Sequence, residues 1–199
     1  MDSREERIVD AAIAVFSRYG VQRTTMNDIA GEAGVARQTI YNVFANKDEI
    51  LRAAIRLYAA RAIAAIEDEC AQTEALGAQL DVAFEHLIAE PFEMMHASPH
   101  ADEIVTGFRD AAKAELAIAE ARYRDVLTEL LTPHEKALRA AGHTPAALAD
   151  VIFKSWYGFK HNADDLDQLR ALQRGMKAMV LTVAGEDEKM PSGTGQAAN

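Results

Sequence analysis

The sequence predicts an all-α protein in which a short three-helix head precedes a larger helical body. Three observations support this fold class. Apolar residues recur at helical spacing along most of the chain, no segment alternates as a half-buried strand would, and the two parts differ in charge. Of the 199 residues, 1–47 carry six basic and six acidic side chains, whereas 48–199 carry 15 basic and 25 acidic ones. The net charge of −10 therefore belongs to the body, and we expect the two parts to do different work.

Composition excludes several classes of protein. Hydrophobic residues make up 49% of the chain and charged residues 26%, which is typical of a globular protein and not of a disordered one. Cys70 is the single cysteine, so an intrachain disulfide is impossible. The first residues mix acids with bases, unlike a signal peptide, and no apolar run reaches the roughly 18 residues that span a bilayer. We therefore expect a soluble cytoplasmic protein.

The first two helices are marked by their ends. One apolar stripe defines the first helix, and Gly20 should end it, because glycine suits the left-handed conformation that often follows a helix. Thr24 and Thr25 offer an N-cap for a short second helix, which Gly34 should end after about two turns. The stripe of the first helix consists of Ile8, Ala11, Ala12, Val15 and Phe16.

The remaining helices follow from periodicity and proline positions. A third helix should open at Ala36 or Arg37 and run to about Phe44. Proline in a helix interior removes a hydrogen bond and clashes with the preceding turn. Pro91 and Pro99 are therefore expected to bracket a loop or a broken helix. Further helices are expected at about 48–70, 75–89, 101–111, 112–141 (kinked or interrupted at Pro133), 145–162 (opened by Thr144 and Pro145) and 164–184.

The second and third helices form the most informative constellation. Gly34 supplies a sharp turn, and Ala30 is small enough for the third helix to cross over it. This spacing fits the helix-turn-helix, in which the second of the two helices lies in the major groove of DNA. On spacing alone an ordinary helical hairpin remains an alternative. The small or apolar positions are Met26, Ile29, Ala30, Ala33, Val35, Ile40 and Val43.

The outward residues favour the DNA-binding alternative. Arginine can bridge guanine O6 and N7, glutamine or asparagine can pair with adenine, and the threonine methyl can contact thymine. Thr25 at a helix start, Lys47 at the next helix start and Arg23 are expected to hold phosphates. For each of these residues, the alternative is an ordinary solvent-exposed side chain without a role in DNA binding. The expected base-facing set on the third helix is Arg37, Gln38, Thr39, Tyr41 and Asn42.

Residues 8–51 together resemble the N-terminal domain of the TetR family of bacterial transcriptional regulators. The resemblance implies a DNA-binding head on a ligand-binding body, dimerisation through the last two long helices, and repression relieved by a small molecule. By position, the resemblance implies that Thr25 and Lys47 contact phosphates, that residues 37–39 contact bases, and that Tyr41 contacts the DNA backbone or a thymine methyl. The segments that carry it are 8–16, Gly20, 24–30, 34–35, 39–41 and 44–51.

The chain departs from the family pattern in two places. Ala36 stands where many members carry a serine that caps the recognition helix, and Asn42-Val43 stand where an aromatic residue or histidine often follows the tyrosine. With the resemblance, the chain divides into a helix-turn-helix DNA-binding domain (1–47), a helical effector-binding and dimerisation domain (48–185) and a disordered tail (186–199), which holds too few apolar residues to pack.

The last two helices carry apolar stripes that call for a partner. Packed against a second copy, 145–162 and 164–184 would form a four-helix interface with two-fold symmetry, which matches a palindromic operator. Burial of both stripes within one subunit is the alternative.

An effector cavity is expected inside the body, lined by apolar and aromatic residues with a few polar groups. For every candidate, the alternative is that its side chain packs in the hydrophobic core and does not line the cavity. Trp156 is favoured because its ring is large and its N–H needs a partner. The candidates are Phe84, His86, Phe92, Met94, Met95, Phe108, Tyr123 and Trp156.

The sequence indicates a regulator rather than an enzyme. It holds no nucleophile–base motif and no phosphate-binding loop, so we expect no catalytic residue, cofactor or metal. The function indicated is a homodimeric, ligand-responsive transcriptional regulator, a repressor that a small-molecule effector releases from a palindromic operator. Two alternatives stay open: a DNA-binding factor of the same fold without an effector, and a helical small-molecule-binding protein that does not bind DNA.

Overall fold

The computed structural model describes residues 3–97 and 112–186, and within these ranges every regular element is helical. This confirms the predicted fold class. The helix expected at 101–111, and the expected tail after Glu186, lie outside the described residues. The head contains α1 (Ser3–Tyr19), α2 (Met26–Ala33) and α3 (Arg37–Tyr41), followed by α4 (Lys47–Cys70), α5 (Leu76–Phe84), α6 (Glu90–His96), α7 (Lys113–Leu131), α8 (Glu135–Ala140), α9 (Pro145–Asn162) and α10 (Leu166–Ala184).

The apolar stripe of α1 forms the centre of the head. Ile8 and Ala12 are fully buried, and Phe16 is almost so. This helix packs against both α2 and α4. It ends where the sequence predicts, because Gly20 follows it with a φ of 81°. Each large side chain buried in this way contributes about 1.5–3 kcal/mol relative to an exposed one, which is how α1 holds the short helices α2 and α3 in place.

Helix α4 joins the two hydrophobic cores of the molecule. Its first half, from Ile50 to Ala59, belongs to the core of the head, whereas Ala62 to Cys70 belong to the core of the body. Helix α7 also contributes to both cores, with Ala119 in the head core and Leu127 in the body core. The apolar interior of the head therefore extends beyond residue 47, and two long helices connect the parts.

The sequence predicts a loop or a broken helix after Pro91, but as far as His96 the structure shows a helix and no loop. Helix α5 continues through a π-helical turn (Glu85–Ala89) directly into α6, in which Pro91 occupies the first turn. A proline ring collides with the carbonyl four residues earlier in an α-helix, and a wider turn relieves that collision. The π-turn therefore lets the chain remain helical through the proline. Pro99 lies outside the described residues.

Local signals set most of the other boundaries. A 3₁₀ turn at Thr132–His134 separates α7 from α8, as Pro133 predicts. Thr144 caps α9 by accepting a hydrogen bond from the N–H of Ala147, and Pro145 stands at its first position. Helix α3 is shorter than predicted: after Tyr41 the chain leaves the helix through a turn in which the N–H of Phe44 still bonds to the carbonyl of Ile40 at 2.8 Å.

Within the described ranges, no helix combines the length and apolar character needed to span a membrane.

Candidate nucleic-acid interface and ligand cavity

The turn between α2 and α3 has the geometry that a helix-turn-helix needs. Gly34 adopts the left-handed conformation, with φ 63° and ψ 35°. The N–H of Val35 then reaches back to the carbonyl of Ala30 at 3.1 Å. A Cβ at Gly34 would meet no neighbour within 4 Å, so the backbone conformation and not crowding calls for glycine here. Ile29, Ala30 and Ile40 close the small core between the two helices.

Helix α3 presents a polar, exposed face. Arg37, Gln38, Tyr41 and Asn42 are exposed, and Thr39 is partly buried. The guanidinium of Arg37 lies 5.4 Å from the centre of the Tyr41 ring, a cation–π arrangement that holds both side chains on one side of the helix. Gln38 Nε2 donates to Asn42 Oδ1 at 3.0 Å, and this hydrogen bond fixes the orientation of the two amides relative to each other.

The N-terminus of α3 lacks a side-chain cap. Ala36 occupies the N-cap position with extended backbone, and its methyl group accepts no hydrogen bond. A serine, which the resemblance noted in the sequence leads us to expect here, would satisfy one free N–H group. The substitution therefore leaves the start of the helix to solvent or to a ligand oxygen.

The start of α2 is capped from within. Thr25 Oγ1 accepts from the N–H of Asp28, while Asp28 Oδ2 accepts from both the N–H and the hydroxyl of Thr25, at 2.8 and 2.7 Å. These bonds to Thr25 lower the pKa of the Asp28 carboxyl. The hydroxyl of Thr25 is thus engaged in a capping box, and the N–H groups of the following turn are the donors that face outward. A phosphate at this position would meet backbone more than the Thr25 hydroxyl.

Lys47 has a different set of partners from the predicted phosphate clamp. Its Nζ donates to three main-chain carbonyl oxygens in the loop between α1 and α2: Val21 at 2.5 Å, Gln22 at 3.3 Å and Thr24 at 3.0 Å. An ammonium group has three protons, so these carbonyls occupy all of them. Lys47 therefore holds the loop to the start of α4. Arg23, the other predicted phosphate ligand, is exposed in this same loop.

Ion pairs and hydrogen bonds hold the head together and attach it to the body. Within the head, the guanidinium of Arg18 on α1 meets the carboxylate of Glu32 on α2 with both nitrogens, at 3.2 and 3.3 Å. Between head and body, Arg61 on α4 makes a two-pronged bond to Asp10 on α1, at 2.6 and 3.1 Å. The hydrogen bonds from Arg61 lower the pKa of the Asp10 carboxyl.

A cavity of about 500 Å³ lies where head and body meet. Its size falls in the range of small-molecule sites. Five helices and the π-turn contribute to the wall, and most of the side chains are apolar or aromatic. From α1 come Ile13, Phe16 and Ser17; from α4 Ala54, Ile55 and Tyr58; from α7 Leu116, Ala119, Glu120 and Tyr123; and from α9 Phe153, Tyr157, Lys160 and His161, with Leu87, Ile88, Pro91, Met94 and Met95 completing the wall.

Few polar groups face this apolar wall. The hydroxyl of Tyr58 is buried without a hydrogen-bond partner. Burial raises the pKa of Tyr58 above its ordinary value, and it raises the pKa of Tyr123 to about 12, so both hydroxyls are proton donors at neutral pH. Burial lowers the pKa of the Lys160 ammonium, with the carboxylate of Glu120 opposing that change.

The structure separates the residues predicted for an effector cavity into three groups. Met94, Met95 and Tyr123 lie in the cavity wall. Phe84, Phe92 and Trp156 instead belong to the packed core of the body, where Trp156 meets Phe84 edge-on at 5.4 Å between ring centres. His86 lies apart from the cavity and bonds to Glu69 at 2.8 Å and to Glu90 at 3.1 Å. Phe108 lies outside the described residues.

Sequence reasoning missed the contribution of the head to the cavity. Phe16 belongs to the main apolar stripe of α1, Ile13 and Ser17 lie beside it, and no local pattern distinguishes these three residues from ordinary core. Lys160 offered a signal that could have been used: it is a lysine next to the apolar stripe of α9, only one residue from Phe159. A charged residue at such a position needs a partner or an aqueous exit.

Comparison with known proteins gives a consistent result for the N-terminal part. Residues 8–54 match the family of bacterial regulatory proteins named tetR. An uncharacterised HTH-type transcriptional regulator, YfiR of Bacillus subtilis, is 32% identical over 111 residues, which are 56% of this chain and 45% of that protein. The nicotine-responsive repressor HdnoR of Paenarthrobacter nicotinovorans is 39% identical over 51 residues, or 26% of each chain. The chain thus spans less than half the length of these relatives.

The fold as a whole is also shared. A TetR transcription regulator from Haloarcula marismortui superposes with a TM-score of 0.70 at 17% identity, covering 93% of this chain and 98% of the other. At this identity the likeness concerns the fold.

Proposed function

The chain belongs to the TetR family of bacterial regulators, which are not enzymes, and on that premise we propose that it is a homodimeric repressor that a small molecule releases from a palindromic operator. The observation that carries the proposal is the left-handed turn at Gly34, which sets a short helix with an exposed polar face across α2. In a helix-turn-helix the corresponding face lies in the major groove. Arg37, Gln38 and Asn42 supply the donors and acceptors that read base edges there.

Dimerisation is supported by the outer faces of the last two helices. Val151 on α9 is 52% exposed and Met179 on α10 is 60% exposed. Gly158 and Gly175 lie in the interiors of these helices, and a Cβ at either would meet nothing within 4 Å. A glycine in a helix interior costs about 1 kcal/mol relative to alanine, and close approach of another backbone is a common reason for it. A second copy of the same two helices is the partner that this surface fits.

An effector is supported by the cavity between head and body. An occupant of this space would contact α1 and α4 together with α7 and α9, that is, both parts of the molecule at once. A ligand shifts a conformational equilibrium only by its differential affinity for the two conformations. A site at the junction supplies that difference, because any change in the angle between the parts changes the contacts of the ligand.

The test is DNA binding by the purified protein. Fluorescence anisotropy would compare duplexes from the region upstream of its own coding sequence with scrambled duplexes of equal composition, at several salt concentrations. We expect one inverted repeat to bind at least about 1,000-fold more tightly than its scrambled control, with an affinity that falls steeply with salt. Equal affinity for both duplexes would contradict sequence recognition. No binding at low salt would favour the small-molecule-binding alternative.

A further inference from the structure

Two hydrogen-bond donors in the cavity wall have no acceptor among the described residues. The Tyr58 hydroxyl is buried and unpaired. The Lys160 ammonium is partly buried, and its interaction with Glu120 is electrostatic, without a hydrogen bond or a close ion pair within the described part of the chain. Leaving a buried donor unpaired costs about 1–3 kcal/mol, and more for a charged group. That cost applies to the Tyr58 hydroxyl, whereas the Lys160 ammonium is only partly buried and lacks a hydrogen-bond acceptor among the described residues.

Four polar groups of the mostly apolar wall interact with one another. Lys160 interacts electrostatically with Glu120, Tyr123 with Arg122 and Glu120, and Tyr58 with Glu90 and Tyr123; Glu90 and Arg122 lie outside the cavity wall. Among the wall residues that the structure describes, Lys160, Tyr58 and Tyr123 carry donors and Glu120 is the one carboxylate; the other polar side chains are Ser17, Tyr157 and His161. The set is therefore rich in donors and poor in acceptors. A ligand that fits it supplies acceptor oxygens, and the aromatic and aliphatic remainder of the wall requires the rest of that ligand to be apolar.

We propose that the cavity binds an apolar monocarboxylic acid, whose carboxylate accepts hydrogen bonds from Lys160 while its hydrocarbon part lies against Phe16, Phe153 and Met95. The role of this ligand as the effector of a repressor rests on the proposed function, whereas its binding to the cavity does not. Charge-assisted hydrogen bonds to a carboxylate are short and strong, and the low-dielectric wall strengthens them further. The negative charge of Glu120 repels the carboxylate of the ligand and therefore lowers its affinity for the cavity.

Direct binding to the full-length protein tests the proposal. Isothermal titration would compare 2-naphthylacetate and decanoate with two probes that share the naphthyl ring, the neutral 2-naphthylacetamide and the cationic 2-(2-naphthyl)ethylamine. We expect at least one carboxylate to bind about tenfold more tightly than the amide and the amine, as one charge-assisted hydrogen bond provides. Tighter binding of the amine, equal binding of the ring probes, or no binding of either carboxylate at millimolar concentration would overturn the proposal.

Three variants locate the contact. Lys160→Met keeps the stem of the side chain and should weaken carboxylate binding about tenfold, removing the preference over the amide. Lys154→Met is the matched control, since Lys154 lies on the same helix, is exposed and pairs with Asp150. It should bind the probes as the unaltered protein does. Glu120→Gln should tighten carboxylate binding. If Lys160→Met does not fold, Glu120→Gln alone still decides, because weaker or unchanged binding there contradicts the proposed polarity.

The two proposals fail separately. The titration contains no DNA, so a protein that prefers carboxylates but binds no operator keeps this inference and loses the repressor function. A protein that binds its operator but shows no preference for carboxylates keeps the function and loses this inference. Addition of the tighter carboxylate to the operator complex then shows whether the occupant acts as the effector.

Discussion

Two lysines show how the same side chain serves different purposes in different surroundings. The ammonium of Lys47 is saturated by main-chain carbonyls of the loop between α1 and α2. The ammonium of Lys160 lies in a mostly apolar wall, where it interacts electrostatically with Glu120. Residue type and position made Lys47 the functional candidate and left Lys160 unnoticed. The three carbonyl partners of Lys47 favour a structural role for it, and its phosphate contact stays a prediction, whereas the Lys160 ammonium has no described hydrogen-bond acceptor and can bind a ligand.

Replacing Lys47 tests its structural role. Lys47→Met should destabilise the protein by about 1–3 kcal/mol, since the loop carbonyls lose a charged donor. Thermal unfolding measures that loss. The salt dependence of operator binding should keep its slope, whereas loss of a phosphate contact would reduce the slope of log K against log salt by about 0.9 for each head. A flatter slope with unchanged stability would restore Lys47 as a phosphate ligand.

Replacing Gln38 tests base reading on α3. Gln38→Ala should weaken binding to the cognate site by roughly 1–3 kcal/mol and relax the preference at one base pair in each half-site. Anisotropy titrations against single-base variants of the operator measure both effects. Gln22→Ala is a suitable control, because Gln22 is also exposed in the head but lies in the preceding loop. Unchanged base preference in Gln38→Ala would remove this residue from the recognition surface.

Among the elements, the continuous helix formed by α5, the π-turn and α6 is the least predictable. Its boundaries depend on how the chain accommodates Pro91, and a sequence pattern gives no sign of the wider turn. Gly20, Thr25, Gly34 and Thr144 could be identified from the sequence because each acts through its own backbone or through a hydrogen bond to a residue three positions away. Predictions thus succeed where the cause is local.

The π-turn also carries a pH-sensitive contact. His86 lies in the turn and bonds to Glu69 at the end of α4 and to Glu90 at the start of α6. Burial lowers the pKa of His86, but the bonds to Glu69 and Glu90 outweigh it, so the pKa is raised above 6.5. Protonated His86 therefore stabilises the fold, fully below the unfolded pKa of about 6.5, and the contribution is lost as pH rises through the folded value.

Chemical denaturation across this pH range tests the contact. The free energy of unfolding should exceed that of His86→Gln most at low pH, and the difference should shrink as the pH rises past 6.5. His143→Gln serves as a control, because His143 is exposed in the loop before α9. A difference between His86→Gln and the unaltered protein that does not vary with pH would show that the ion pairs contribute nothing.

For the whole molecule, the exposed faces of α9 and α10 and the shared cavity wall are the features that matter. The apolar stripes of these helices were predicted, but periodicity alone could not decide whether they face the core or a partner. The structure divides them: Leu148, Ile152 and Trp156 are buried in the body, while Val151 and Met179 remain outside. The sequence predicts a cavity inside the body but not the wall that the structure shows at the junction with the head, because that wall brings Phe16 and Lys160 together from distant parts of the chain.

A charge on the outer face should separate the proposed dimer. Met179→Glu places a carboxylate on each side of a two-fold interface, where it would be desolvated beside its copy. We expect light scattering after gel filtration to show monomer at micromolar concentration, and operator affinity to fall at least tenfold. Ile118→Glu is the matched control, because Ile118 is 56% exposed but lies on α7. A dimer that persists in Met179→Glu would place the interface elsewhere.

The head itself forms part of the cavity wall, so a bound molecule would contact it directly. Phe16 and Ser17 belong to the helix that packs directly on α2, and they are also part of the wall. In the proposed repressor, a bound ligand would therefore contact the DNA-binding head of its own subunit directly, without a relay through the second subunit. Release of such a dimer from DNA would then be stepwise, with one step for each subunit that binds a ligand.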